Sequence, residues 1–345
     1  MLYITTRSKA EVYTPARTLQ MDRGADGGMF VPFRAPVMEP QEVLDLGKNN
    51  PSPNMADYLN MGFGTELSEW DVELALGRNG FDLHTMGRRL TVWELWHNRD
   101  GKFSATVDAI ARQIKPEGVV FTQNTEWVVL SVRIAVLIGL FTKLLSDGTV
   151  TLDNPVNFAL CSGDFSQVMA LWEARKMGLP IRDIVIGCNE NSAPWDLIVR
   201  GQLDFDASVV HTSTPEADFA VPDGMERLIY VACGHEEVMN YCWSMSEGSI
   251  YNPEEDIWNT IRRGMSASVV SQSRLDIAIP SVYRSMQYVL DPYAAIAYGA
   301  LSDYRAKTGD TAHTLLIAEY SPLTSARTVA QAMRISVDEL RRMVR

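Results

Sequence analysis

Cysteine is scarce. Cys161, Cys188, Cys233 and Cys242 are the only four in 345 residues, and no two have the close spacing of a redox or zinc pair. A zinc site and a disulfide framework are both unsupported, so buried free thiols in a reducing compartment are expected. The five histidines show no metal-ligand spacing either; His235, followed by Glu236 and Glu237, reads as an acidic helix start. The N-terminus is polar from Thr5 onward and lacks the apolar core of a signal peptide, which points to the cytoplasm. Basic side chains are outnumbered, 31 against 43 acidic, for a formal net charge of −12. A nucleic-acid backbone would be repelled by that balance. The one basic run, Arg341, Arg342 and Arg345, reads as the favourable positive end of a last helix. Long hydrophobic runs are missing apart from Trp127 to Leu145, and Arg133 lies well inside that one. A charge at that depth in a bilayer costs about 3 kcal/mol, so a buried helix is expected and no membrane partner.

The apolar fraction, 46%, is enough for one large core or two smaller ones. Eight Trp, twelve Tyr and eleven Phe argue against disorder. Residues 1–92 read as a small mixed domain, with a turn at Ala25 to Gly28, a strand at Met29 to Pro32, a loop over 47–54, and helices near 55–59 and 66–77. Residues 93–345 read as an α/β body. Val156 to Leu160 is an apolar strand, Phe165 to Met177 a helix closed by Gly178 and Pro180, and Ile181 to Ile186 a second strand. Strand, helix and strand at this spacing make a βαβ unit and imply a parallel sheet. Arg227 to Val231 and Thr314 to Ile317 are further strand candidates. Tyr293 to Ala306 is a helix with Asp291 as N-cap and Pro292 at its first position.

The turn most suited to chemistry is Ser162-Gly163-Asp164-Phe165-Ser166, between a strand and a helix start. Unpaired N–H groups and a partial positive charge there suit a small anion such as phosphate. Gly163 would allow close approach, and Ser162 and Ser166 would offer hydroxyls. Asp164 counts against an anion, by on the order of 1 kcal/mol or more at a few Å, and fits equally well as an N-cap.

A set of matches in conserved order along the chain resembles threonine synthase, a fold-type II pyridoxal-phosphate (PLP) enzyme. Tyr3 to Arg7 is similar to that family's Tyr-x-Ser-Thr-Arg opening, and Ala25 to Pro32 to its Pro-Asp-Gly-Gly-Leu-x-Val-Pro. Glu94-Leu95-Trp96-His97 resembles the Glu-Leu-Phe-His before the family's catalytic lysine. Ser162-Gly163-Asp164-Phe165 resembles its Gly-Asn-Phe-Gly phosphate loop. Asp291-Pro292-Tyr293-Ala294-Ala295 resembles its Asp-Pro-His-Thr-Ala. The resemblance implies a parallel-sheet large domain, a PLP cofactor and phosphohomoserine as substrate.

The departures bear on function. Ser104 falls where the family has its Schiff-base lysine, and a hydroxyl cannot form an imine. Lys102 is two residues away, a candidate substitute nucleophile or a solvated lysine. After Ala111-Arg112-Gln113 the sequence resumes almost at once with Val119 to Asn124, so most of the cofactor subdomain is missing by this alignment. Trp127 and Leu130 replace an Asn and an Arg that lie beside the family's substrate. Three readings follow: a pseudoenzyme kept for binding or regulation, with no PLP; an enzyme of altered chemistry using His97, Arg99 or Asp164; or a subunit paired with itself or with an intact homologue.

Overall fold

The computed structural model describes residues 1–73, 80–96, 102–114, 126–163 and 165–344, with backbone alone at 102–104. His97, Arg99 and Asp164 lie outside the described residues, as do the side chains of Lys102 and Ser104 and the expected 119–124 strand.

The chain opens with an antiparallel ribbon of β1 (Tyr3–Thr5) and β2 (Phe30–Pro32). β3 (Leu83–Thr85) and β4 (Leu90–Glu94) form a hairpin, followed by β5 (Val156–Cys161) and β6 (Ile181–Cys188). A second ribbon pairs β7 (Leu203–Asp204) with β8 (Ile250–Tyr251). With β9 (Met265–Val269) and β10 (Thr314–Ala318), the main sheet has, among the described residues, six strands in the order β3-β4-β10-β5-β6-β9, parallel except for β3. Every residue of β5 and β10 is buried, as expected for strands covered on both faces.

Alternation along β5 sorts the core into two layers. Phe158 and Leu160 join the layer containing helices Glu126–Ser146 and Phe165–Lys176, whereas Ala159 and Cys161 join the layer under helix Pro292–Thr308. That last helix starts as expected: Asp291 Oδ1 accepts the N–H groups of Tyr293 at 2.8 Å and Ala294 at 3.1 Å. The long apolar segment is helix Glu126–Ser146, and 83% of its most apolar window is buried inside the protein. Its Arg133 is 4% exposed and donates through Nη1 to Gln167 Oε1 at 2.8 Å. A charge inside this helix is thus compatible with a protein core.

Two expectations are corrected. Arg227 to Val231 is not a strand but the middle of helix Gly224–Cys233, because Met225, Leu228 and Ile229 are buried at helical spacing and the apolar run is read with period 3.6. The loop expected over 47–54 ends early: helix Pro51–Phe63 starts inside it, with Asn50 before it and Pro51 and Pro53 in a first turn that needs no N–H from either. Downstream, helix Lys102–Ile114 ends only eleven residues (115–125) before helix Glu126–Ser146 begins. A strand–helix–strand unit takes about 30 residues, so that interval is too short to hold the family's cofactor subdomain.

Candidate functional site

In an open parallel sheet, ligands bind beyond the carboxyl ends of the strands, where neighbouring connections diverge. Here that point lies between β5 and β10: from β5 the chain runs outward through β6 to β9, and β10 then returns to the other side of β5. The Ser162–Ser166 turn leaves the end of β5, and Glu319-Tyr320 leaves the end of β10.

The crevice between them is occupied by the protein's own groups. A Cβ placed on Gly163 would lie 3.4 Å from the Glu216 carbonyl oxygen and 3.5 Å from the Ala217 Cβ. Gly163 does permit a close approach, and what approaches is the Pro215–Ala217 turn. Tyr293 fixes that turn, its hydroxyl accepting the Glu216 N–H at 3.2 Å, and its ring packs against Tyr320 with centroids 4.3 Å apart and planes tilted by 32°. Ser162 is fully buried, so its hydroxyl faces the interior rather than the turn's mouth. Phe165 is buried against Gly224, where a Cβ would come within 2.7 Å of its ring. Of the described turn residues, Gly163, Phe165 and Ser166 border open space.

That space is a cavity of about 560 Å³, and its charged lining is Asp22, Glu126 and Asp223 against Arg23. Arg23 is shared by Asp223 at 3.6 Å and Glu226 at 3.5 Å. Glu126 is held by the fully buried Arg227, whose two terminal nitrogens donate at 2.5 and 2.9 Å. Burial, reinforced by the Glu126 charge, raises the Asp22 carboxyl above its ordinary value. Three carboxylates against one guanidinium in the described lining make the cavity a poor seat for a further anion. Its described residues therefore do not fit the phosphate of a pyridoxal cofactor.

Further along the same sheet edge, Asp291 is completely buried. Desolvation pushes its carboxyl up to about 7 despite the two backbone N–H groups on Oδ1, and Glu94 adds to the shift. Glu94 in turn accepts the Tyr288 hydroxyl at 2.8 Å and lies 3.3 Å from His84 Nε2. The thiols offer no nucleophile at neutral pH: burial pushes Cys188 up to about 12, Cys233 up to about 11, and Cys161 well above the thiol range. Among the described residues no group of three or more His, Cys, Asp or Glu is placed to hold a metal ion.

Sequence reasoning found the turn and missed what fills it. Tyr293 carried a signal, since it stands where the resembled family has a histidine in Asp-Pro-His-Thr-Ala. Asp22, Glu216 and Asp223 carried none, because loops distant in sequence bring them together.

Comparisons with known proteins agree with this fold. No protein-family model matches the chain. It is 25% identical to human threonine synthase-like 1 over 203 residues, covering 56% of this chain and 26% of that protein. It is 27% identical to the threonine synthase of Saccharomyces cerevisiae over 170 residues, covering 45% of this chain and 33% of that enzyme. The matched stretch thus spans about a quarter to a third of these relatives' own length. In structure it superimposes on the PLP-bound threonine synthase of Brucella melitensis with a TM-score of 0.81 at 19% identity, over 100% of both chains. The yeast enzyme gives a TM-score of 0.82 at 16% identity, over 99% of this chain and 93% of that one. The architecture is that of the fold-type II pyridoxal-phosphate proteins. Within that class, the chain is similar in sequence and in fold to the threonine synthases.

Proposed function

We propose that this threonine-synthase-like protein is a pseudoenzyme: it does not convert phosphohomoserine to threonine with PLP, and its fold is retained in the cytoplasm for binding or regulation. The observation that carries the reading is the filled crevice at the β5–β10 switch point, where Tyr293, Tyr320 and the Pro215–Ala217 turn stand over Gly163. The acidic cavity beside it and the alcohol of Ser104 at the lysine position support the same conclusion. An imine needs an amine, and a cofactor phosphate needs donors without competing carboxylates.

The reading is tested by incubating the purified protein with phosphohomoserine and PLP and measuring released phosphate. No release above the protein-free rate is expected. Sustained release that requires both PLP and the protein would overturn it.

A further inference from the structure

β9 is the free edge of the main sheet, and among the described residues nothing pairs with its outer side. Its ladder with β6 uses even-numbered residues: Ile184 N–H donates to the Gly264 carbonyl at 3.0 Å, and Val270 N–H to the Cys188 carbonyl at 2.8 Å. The two-residue period of a strand then turns the N–H and C=O groups of Ala267 and Val269 outward. Such an edge is a template for a further strand.

A groove of about 650 Å³ runs along it. Trp195 and Ile198 of the irregular helix over 193–200 form one wall, and Ala300 and Tyr304 of helix Pro292–Thr308 form the other. The strand between them carries small side chains, Ser266, Ala267 and Ser268, so a second backbone can come close.

The charge of the groove opposes that of the molecule. Arg262, Arg263 and Lys307 line it. Among the described residues, Arg262 donates only to the neutral Asn259, at 2.7 and 3.0 Å, and lies 4.0 Å over the Trp258 ring, so no carboxylate neutralises its charge there. The one carboxylate in the described lining, Asp303, is already held at 2.8 Å by both terminal nitrogens of Arg274. In a chain of net charge −12, three cations beside an open strand edge select for negative charge.

We infer that β9 is a docking edge for an extended acidic peptide segment of another protein, which adds to the sheet as a seventh strand. Backbone hydrogen bonds to Ala267 and Val269 give the affinity, and Arg262, Arg263 and Lys307 select acidic side chains. A second copy of this chain fits less well, because a twofold axis through β9 would set the same three cations against each other. The inference is independent of whether the molecule has kept any PLP chemistry, since the groove lies along the β9 edge, away from the β5–β10 switch point.

The test uses the full-length protein and a fluorescently labelled heptapeptide of alternating valine and glutamate, followed by anisotropy at low salt. Saturable binding is expected that weakens at least about tenfold in the double variant Arg263→Glu, Lys307→Glu, both exposed positions. Ala267→Pro, which removes an N–H that the β6 ladder does not use, should weaken it comparably while leaving the thermal melt of the protein near that of the parent. N-methylation of alternate peptide amides should abolish it. Equal binding of a valine–lysine heptapeptide, indifference to N-methylation, or no binding at millimolar peptide would overturn the inference. Concentration-dependent dimerisation lost on Ala267→Pro would also overturn it, by assigning the edge to a second copy.

Discussion

The carboxyl of Asp291 holds the start of helix Pro292–Thr308 from a position with no solvent contact, and its Oδ2 has no hydrogen-bond partner among the described residues. Its pKa of about 7 in the folded protein lies above the ordinary value of 3.8, so between those two pH values the folded state holds a proton that the unfolded state has released. Stability from this group is fully present below about pH 4 and is lost as pH rises through about 7, by up to about 4 kcal/mol. Asn caps a helix as well as Asp does and cannot ionise. Asp291→Asn should therefore leave stability near pH 4 almost unchanged and raise it relative to the parent by a few kcal/mol at pH 8, measured as urea midpoints across that range. A difference independent of pH would refute the assignment. The cap itself was legible in the sequence, because Asp followed by Pro is a local signal. The raised pKa was not, since it depends on helices and strands from the whole chain closing over residue 291.

Among the elements, the parallel strands and their helices were legible for the same reason: β5 and β10 are short apolar runs bounded by turns, and helix Phe165–Lys176 carries its own stop at Gly178 and Pro180. Helix Gly224–Cys233 was misread because Arg227 to Val231 is a short apolar run, and such runs do not declare their period without the flanking residues. The Ser162–Ser166 turn was located correctly from its residue types, whereas the orientation of Ser162 into the core and the cover over Gly163 depend on the 214–217 turn. Packing between elements makes a separate prediction. Gly187 lies in β6 directly under helix Pro292–Thr308, where a Cβ would fall 2.6 Å from Ile296 Cγ2 and 2.8 Å from its carbonyl oxygen. A backbone oxygen cannot rotate away as a flexible side chain can, so the helix must lift. Gly187→Ala should cost about 1–3 kcal/mol in denaturant unfolding with the slope unchanged. An unaltered midpoint would mean that the helix does not seat on β6 as described.

For the whole molecule, the likeness of fold and the proposed loss of chemistry rest on different observations. The architecture superimposes on threonine synthases from end to end. The interval between helices Lys102–Ile114 and Glu126–Ser146 is nevertheless too short for a cofactor subdomain. The groups brought to the switch point are tyrosines and carboxylates rather than an amine and anion donors. On the proposed reading, loss of catalysis would remove the demand for an open crevice, and the side chains that close it would then add to the core. Ordered matches revealed the scaffold in sequence, and the alcohol at residue 104 is the sequence feature that motivates the proposed loss of catalysis.

The most direct measurement is the absorbance of the purified protein mixed with PLP, followed by borohydride reduction and intact-mass analysis. The account predicts the spectrum of free PLP and an unchanged protein mass. A stoichiometric imine band, trapped by reduction as one pyridoxyl group on one lysine in the crevice, would contradict it.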